Sequence, residues 1–244
     1  MVKSIHALII GDEILSGKRE DKHLSYLIKK LNENNLLLNS ASYVGDNSND
    51  IVKKIQENKD KIVFAFGGIG ATPDDKTRQA AATANDIKLV KHSEAVVLIE
   101  NQFGADAYPK RILMANLPFK AKLIPNEINN IPGFSISDHH FMPGFPEMAW
   151  PMINWIIENY YKNLSRKKIS DQSIWIDDTS ESNLIDLMNE IEEKFQFISI
   201  YSLPKILPKK MIEFGIKGDE KEVTVAMEYL KENLNAKKIK WRKH

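Results

Sequence analysis

Cysteine is absent from this 244-residue chain. Disulfides, thiolate metal sites and cysteine nucleophiles are therefore excluded. A dominant sign of charge is missing too: 34 lysines and arginines stand against 33 aspartates and glutamates, a net of +1. That balance offers no general attraction to nucleic acid or to an anionic membrane, so neither is expected as a partner. No long apolar run occurs. The first short one, Ile5–Ile10, is broken by Gly11-Asp12, too early for a signal peptide or a membrane span, and a cytoplasmic protein is expected. Repeats and low-complexity tracts are also missing. What is present is an apolar fraction of 43%, enough for a sizeable core, in a length that fits one large domain or a domain with a smaller companion.

The chain is organised around Gly67–Gln79, which reads G-G-I-G-A-T-P-D-D-K-T-R-Q. Before it, Lys61–Phe66 reads as a buried parallel strand; after it, Ala80–Ala82 suits a helix. Glycines that close a strand and open a helix present free backbone N–H groups to an anion. The spacing is neither that of a P-loop nor that of a dinucleotide fingerprint. Thr72 is placed as an N-cap, with Pro73 at the first helical position and Asp75 completing a capping box. Asp75 has a second reading. A carboxylate beside a bound phosphate repels it unless a divalent cation or a proton lies between. Asp74 and Asp75, adjacent at the mouth of an anion cradle, point to a metal-bridged phosphate.

Along the rest of the first part, strands alternate with helices. Ile5–Ile10 is a strand, Gly11–Gly17 a loop, and 21–34 a helix with Leu24, Leu27, Ile28 and Leu31 at helical spacing. Residues 36–44 hold a second strand, 45–48 a turn, and Asn47 or Ser48 caps a helix carrying Ile51, Val52 and Ile55. This alternation predicts a parallel sheet with right-handed crossovers. Residues 94–103 read as a helix ending at Gly104, and 134–136 with 139–142 as a hairpin around Ser137-Asp138. An aromatic helix follows over 146–161, with a kink expected at Pro151 and with Trp150 and Trp155 as core or subunit-contact residues.

Arg166-Lys167-Lys168 reads as a linker, which divides the chain into 1–165 and 166–244. In the second part a strand at 173–176, a helix at 183–195, strands at 197–201 and 211–216 and a helix at 220–234 predict a small α+β domain of ferredoxin-like type. Gly215-Ile216-Lys217-Gly218 matches a G-x-x-G string, but it ends a strand, so a turn is expected there and not RNA binding. The basic 236–244 stretch reads as a solvated tail or a last strand.

In an open α/β sheet the rims at the C-terminal ends of the strands border one crevice. Gly11–Gly17 follows strand one, Gly67 follows strand three, and Pro143-Gly144-Phe145-Pro146 supplies a third rim. Gly67–Ala80 resembles the G-G-x-G-x-T-x-D-D-x-T-x-x-A signature of the MoaB/Mog molybdopterin-binding fold, in the version of CinA-like N-terminal domains. Gly11-Asp12-Glu13-Ile14-Leu15-Ser16-Gly17, Ile131-Pro132-Gly133-Phe134 and Met142–Met148 agree in the same order, so the resemblance spans about residues 3–160. It implies a three-layer αβα domain with a mostly parallel sheet, followed by a small KH-like or ferredoxin-like domain. It further implies a pterin or nucleotide crevice formed by Gly67, Gly68, Gly70, the acid Asp75, and Pro143, Gly144 and Pro146, with Gly11, Glu13, Thr72 and Asp74 beside them. The activity implied is a metal-dependent pyrophosphatase on ADP-ribose or related dinucleotides. Its divalent cation (Mg²⁺, Mn²⁺ or Co²⁺) is held by Asp75 with help from Asp12, and Gly68 and Gly70 N–H groups stabilise the phosphoryl charge. Two other readings stay open: molybdopterin handling in cofactor assembly, and a non-catalytic binding module. Related domains form homo-oligomers, so a dimer or trimer is expected.

Several residues carry a plain reading beside the functional one. Asp12 and Glu13 are either ligand or metal groups or a solvated turn. Asp21 and His23 are read first as a charged helix start. Lys76 and Arg78 are read as solvated, with Arg78 the better phosphate clamp of the two because guanidinium binds phosphate bidentately. Lys110 and Arg111 lie where the related domains carry a basic segment. His139 and His140, adjacent on a strand, point to opposite faces and cannot easily share one metal ion. Asn126-Glu127-Ile128 departs from the related domains' N-P pattern. The resemblance stops short of the amidohydrolase domain of full-length CinA, so deamidation is not expected.

Overall fold

The computed structural model describes residues 3–162, 164, 169–205 and 210–243. The chain forms two compact units, Met1–Leu164 and Ser165–His244. The expected linker at 166–168 lies outside the described residues.

In the first unit β1 (Ile5–Ile10), β2 (Leu38–Val44), β3 (Ile62–Phe66) and β8 (His139–Met142) run parallel, and β7 (Gly133–Ile136) and β6 (Lys122–Ile124) continue the sheet antiparallel, in the order β2-β1-β3-β8-β7-β6. The strands are apolar on both faces because both faces are covered. On β3, Val63 and Ala65 face α3 (Ser48–Glu57), α4 (Thr77–Ala84) and α5 (Ser93–Phe103). Ile62, Phe64 and Phe66 face α2 (His23–Glu33) and α6 (Pro146–Ile156). Leu27 and Leu31, four residues apart, put one stripe of α2 into that second core. Each such fully buried side chain stabilises the fold by roughly 1.5–3 kcal/mol. The three-layer αβα fold is the expected one. A two-stranded sheet of β4 (Leu89–Lys91) and β5 (Asn116–Pro118) lies apart from it.

Two local expectations are corrected. The Gly11–Gly17 loop contains a one-turn helix, α1 (Asp12–Leu15). α4 starts at Thr77 and not after Thr72, because the Thr77 N–H and hydroxyl bond the carbonyls of Gly68 and Gly67. α6 is continuous through Pro151, as expected, and leads into a π turn over Ile157–Tyr161. Pro151, the sixth residue of α6, has no N–H to give the i−4 ladder that Ala149 already joins by donating to the Phe145 carbonyl, yet the helix continues through it. Trp150 packs against the core and stacks on Tyr26.

The second unit is an antiparallel sheet, β10 (Ile198–Lys205), β11 (Met211–Asp219), β9 (Ile169–Asp177) and β12 (Trp241–Lys243) in that order, with α7 (Ile185–Lys194) and α8 (Glu220–Ala236) on the core side. The β-α-β-β-α-β sequence is ferredoxin-like, and the basic end of the chain supplies its last strand. Gly215–Gly218 lies within β11, not between helices. Among the described residues no helix is long and apolar enough to cross a membrane.

Candidate functional site

The chain leaves β1 for β2 on one side and returns to β3 on the other, so strand order reverses between β1 and β3. Loops diverge at such a point and leave a crevice beyond the strand ends. A cleft of about 450 Å³ opens there, lined by the Gly11, Gly67 and Pro143 loops. Gly67 has φ 103°, and a Cβ on it would stand 2.1 Å from the Ile10 carbonyl oxygen; Gly68 has φ 67° and would strike the Thr77 hydroxyl. Only glycine holds both positions. Among the described residues no protein acceptor takes the N–H of Gly68, Ile69 or Gly70, so these donors stand free at the cleft.

Asp75 does not cap α4. Its Oδ2 accepts the Thr72 N–H at 2.8 Å and the Thr72 hydroxyl at 2.6 Å, closing a turn inside the loop. Oδ1 takes no part in that clasp. Asp75, Asp74, Thr72, Glu13, Gly70, Pro143 and Gly144 all line the cleft.

Asp46 lines it as well, and sequence reasoning passed over it as a turn residue. Asp12 and Asp46 bond reciprocally: the Asp12 N–H donates to Asp46 Oδ2 at 3.0 Å, and the Asp46 N–H donates to Asp12 Oδ1 at 3.3 Å. Burial, with the Asp12, Glu13 and Asp74 carboxylates nearby, raises the Asp46 pKa above the usual carboxylate value, against the pull of the Asp12 N–H. Asp12 itself is not in the lining; it positions Asp46. Asp46 follows the end of β2, so it stands on the same rim as the Gly11 and Gly67 loops.

Arg78 is corrected outright. It is 3% exposed, and its guanidinium donates to the carbonyls of Gly70, Leu113 and Asn116. It braces the loop from behind and offers no free fork to a phosphate. Pro146 begins α6 and does not line the cleft, whereas Phe145 does. Lys76, Lys110 and Arg111 are also outside the lining; Arg111 donates to the Asp106 carbonyl and lies over Phe103. Asp21 accepts the N–H groups of His23 and Leu24, the helix-start role. His23 is buried and stacks on Phe66. His139 and His140 are both buried away from the cleft.

Residues 6–163 match the family described as "Probable molybdopterin binding domain". The chain belongs to that family. A protein of Saccharolobus islandicus is 27% identical over 239 residues, covering 92% of this chain and 90% of the relative. A CinA-like protein of Geotalea uraniireducens is 26% identical and covers 91% of this chain; the match spans 56% of that longer relative. A solved structure of the protein CinA from Thermoplasma acidophilum superposes with a TM-score of 0.60 at 22% identity, over 65% of this chain and 98% of that one. The likeness to that structure is one of fold.

Within this domain the cleft has two characters. Glu13, Asp46, Asp74 and Asp75 make one part acidic, with Arg19 the basic side chain of the lining. Phe103, Met114, Ile131, Phe145 and Met148 make another part apolar. Asn126 and Asn129 stand among them, but their amides are largely committed to each other and to the neighbouring backbone. Among the described residues no three of His, Asp and Glu gather into a ready-made metal site. The donors that are present are carboxylate oxygens, which suit a hard cation that takes its other ligands from phosphate and water.

Proposed function

We propose that the cleft binds a small ligand with a phosphorylated end and a planar ring, and that it hydrolyses a nucleotide diphosphate of the ADP-ribose type with the help of a divalent cation. The observation that carries this reading is the placing of free Gly68, Ile69 and Gly70 N–H groups in the same cleft as four carboxylates. The first feature attracts phosphate and the second repels it. They are compatible when a cation or a proton lies between.

Asp75 and Asp46 would hold the cation, with Asp74 and Glu13 adding negative potential. A bound divalent ion supplies charge screening and a more acidic water. The chain's own work is separate. The N–H groups of Gly68 and Gly70 hold phosphoryl oxygens where charge builds up. Thr72 fixes Asp75 through two bonds, and Asp12 fixes Asp46. The apolar wall receives the ring and excludes water around it.

The family match favours a second reading, in which the ligand is a phosphorylated pterin handled without hydrolysis. Incubating the protein with ADP-ribose, other dinucleotides and pterin phosphates, each with Mg²⁺, Mn²⁺ or Co²⁺, separates the two. The proposal expects metal-dependent release of nucleoside monophosphate. Tight pterin binding with no turnover under any metal would leave the cleft as a binding site for cofactor assembly.

A further inference from the structure

Among the described residues Arg19 is the one basic side chain in the lining of a cleft that also carries four carboxylates. It sits on the loop between α1 and α2 and is anchored by its backbone, whose N–H donates to the Glu13 carbonyl at 3.0 Å. Its side chain is held far less firmly. The guanidinium is 3.9 Å from Glu13 Oε1 and 5.7 Å from the centre of the Phe145 ring, and it is 51% exposed. A charge-assisted bond to a carboxylate is about 2.7–2.9 Å long, so neither partner uses the guanidinium well. Phe145 is itself 51% exposed, beside Gly144, which packs on Gly67.

The geometry points to Arg19 as the residue that selects phosphorylated ligands, by exchanging Glu13 and the Phe145 face for a ligand phosphate. This rests on the reading of the cleft given above and adds to it. A phosphate can take the guanidinium bidentately at charge-assisted distance, whereas Glu13 meets it only at 3.9 Å. The fixed backbone and loose side chain allow the exchange without moving the loop. The same exchange releases the Glu13 carboxylate toward the acidic part of the cleft and uncovers the Phe145 ring, on which a planar base can stack. Anion recognition and ring recognition are thereby coupled in one side-chain movement.

The test is calorimetric titration of the 244-residue chain, in the presence of Mg²⁺, with ADP-ribose (as its non-hydrolysable α,β-methylene analogue, so that binding is read without turnover), inorganic pyrophosphate and adenosine. Arg19→Ala is expected to weaken ADP-ribose and pyrophosphate by about tenfold or more and adenosine by less than about twofold. Arg19→Lys, charged but unable to bind bidentately, falls between wild type and Ala. Phe145→Leu weakens adenosine and ADP-ribose and leaves pyrophosphate unchanged. Wild-type pyrophosphate affinity in Arg19→Ala, or equal loss for adenosine, overturns the inference and leaves the cleft's function standing. A wild-type chain that binds none of the three overturns both.

Discussion

Arg78 carries its charge into the interior, where three backbone carbonyls receive it. Replacing it by methionine keeps the bulk but removes the charged donor from all three carbonyls, of which Leu113 keeps the Asn116 N–H. Arg78→Met is expected to lower stability by roughly 2–4 kcal/mol, read from urea unfolding. A loss under about 0.5 kcal/mol would contradict the bracing role. Nothing local in the sequence announces this role, because two of the carbonyls are 35 and 38 residues away and are presented only once α5 and the following turns have packed. Asp46 was hidden for the same reason: its partner Asp12 is 34 residues distant. The buried histidines make a different prediction. Burial pulls His140 down to about 3, and burial with Lys61 and Lys54 nearby pulls His6 down to about 4, from an ordinary 6.5. Their folded values lie below the unfolded one, so the unfolded chain takes up protons first as pH falls. Their contribution is complete above about pH 6.5 and declines as the pH falls through the window towards 4 and 3. Unfolding midpoints measured between pH 7 and 5 should fall with pH, and less steeply in His140→Gln; parallel slopes would remove His140 from the account.

At the scale of the element, the 67–77 loop is where the sequence was most legible and also where it misled. The G-G-x-G glycines announced a close approach, and the close approach is there, Gly67 against β1 and Gly68 against Thr77. The T-P-D-D run announced a helix cap, and the same two residues bond each other, but as a turn. The difference lies in Thr77, whose bonds to Gly67 and Gly68 pin the helix start and leave 69–76 as an excursion over the cleft. This separates two glycine substitutions. A Cβ at Gly67 meets backbone, the Ile10 carbonyl, whereas a Cβ at Gly70 meets the Asp75 side chain at 2.5 Å. Gly67→Ala is expected to cost about 2 kcal/mol or more of stability. Gly70→Ala is expected to cost about 1 kcal/mol or less, since a side-chain end can yield, while displacing Asp75 and reducing ligand affinity. Equal stability losses in thermal melts would contradict this division of the loop.

For the whole molecule, the parallel sheet and the α+β second unit followed from periodicity and strand–helix alternation, which local sequence expresses well, whereas the αβα layering was implied by the family resemblance. Assembly did not follow in that way. The aromatic helix offered as a subunit contact is largely absorbed by its own core, with Met152, Ile153, Ile156 and Ile157 buried and Trp150 on Tyr26. Large apolar side chains stay exposed elsewhere on the first unit, among them Val97, Phe119 and Ile128. A dimer or trimer is expected from light scattering at micromolar concentration, and a monomer alone would contradict it. The central claim is that this acidic cleft accepts a diphosphate only together with a cation. It is tested most directly by titrating ADP-ribose, as its non-hydrolysable α,β-methylene analogue, into wild type and Asp75→Asn, each with and without Mn²⁺. The account predicts that Mn²⁺ tightens binding to wild type by about tenfold or more, and that Asp75→Asn loses this gain while binding the metal-free ligand as well as wild type or better. Affinity for ADP-ribose that is the same with and without metal in the wild-type protein would contradict it.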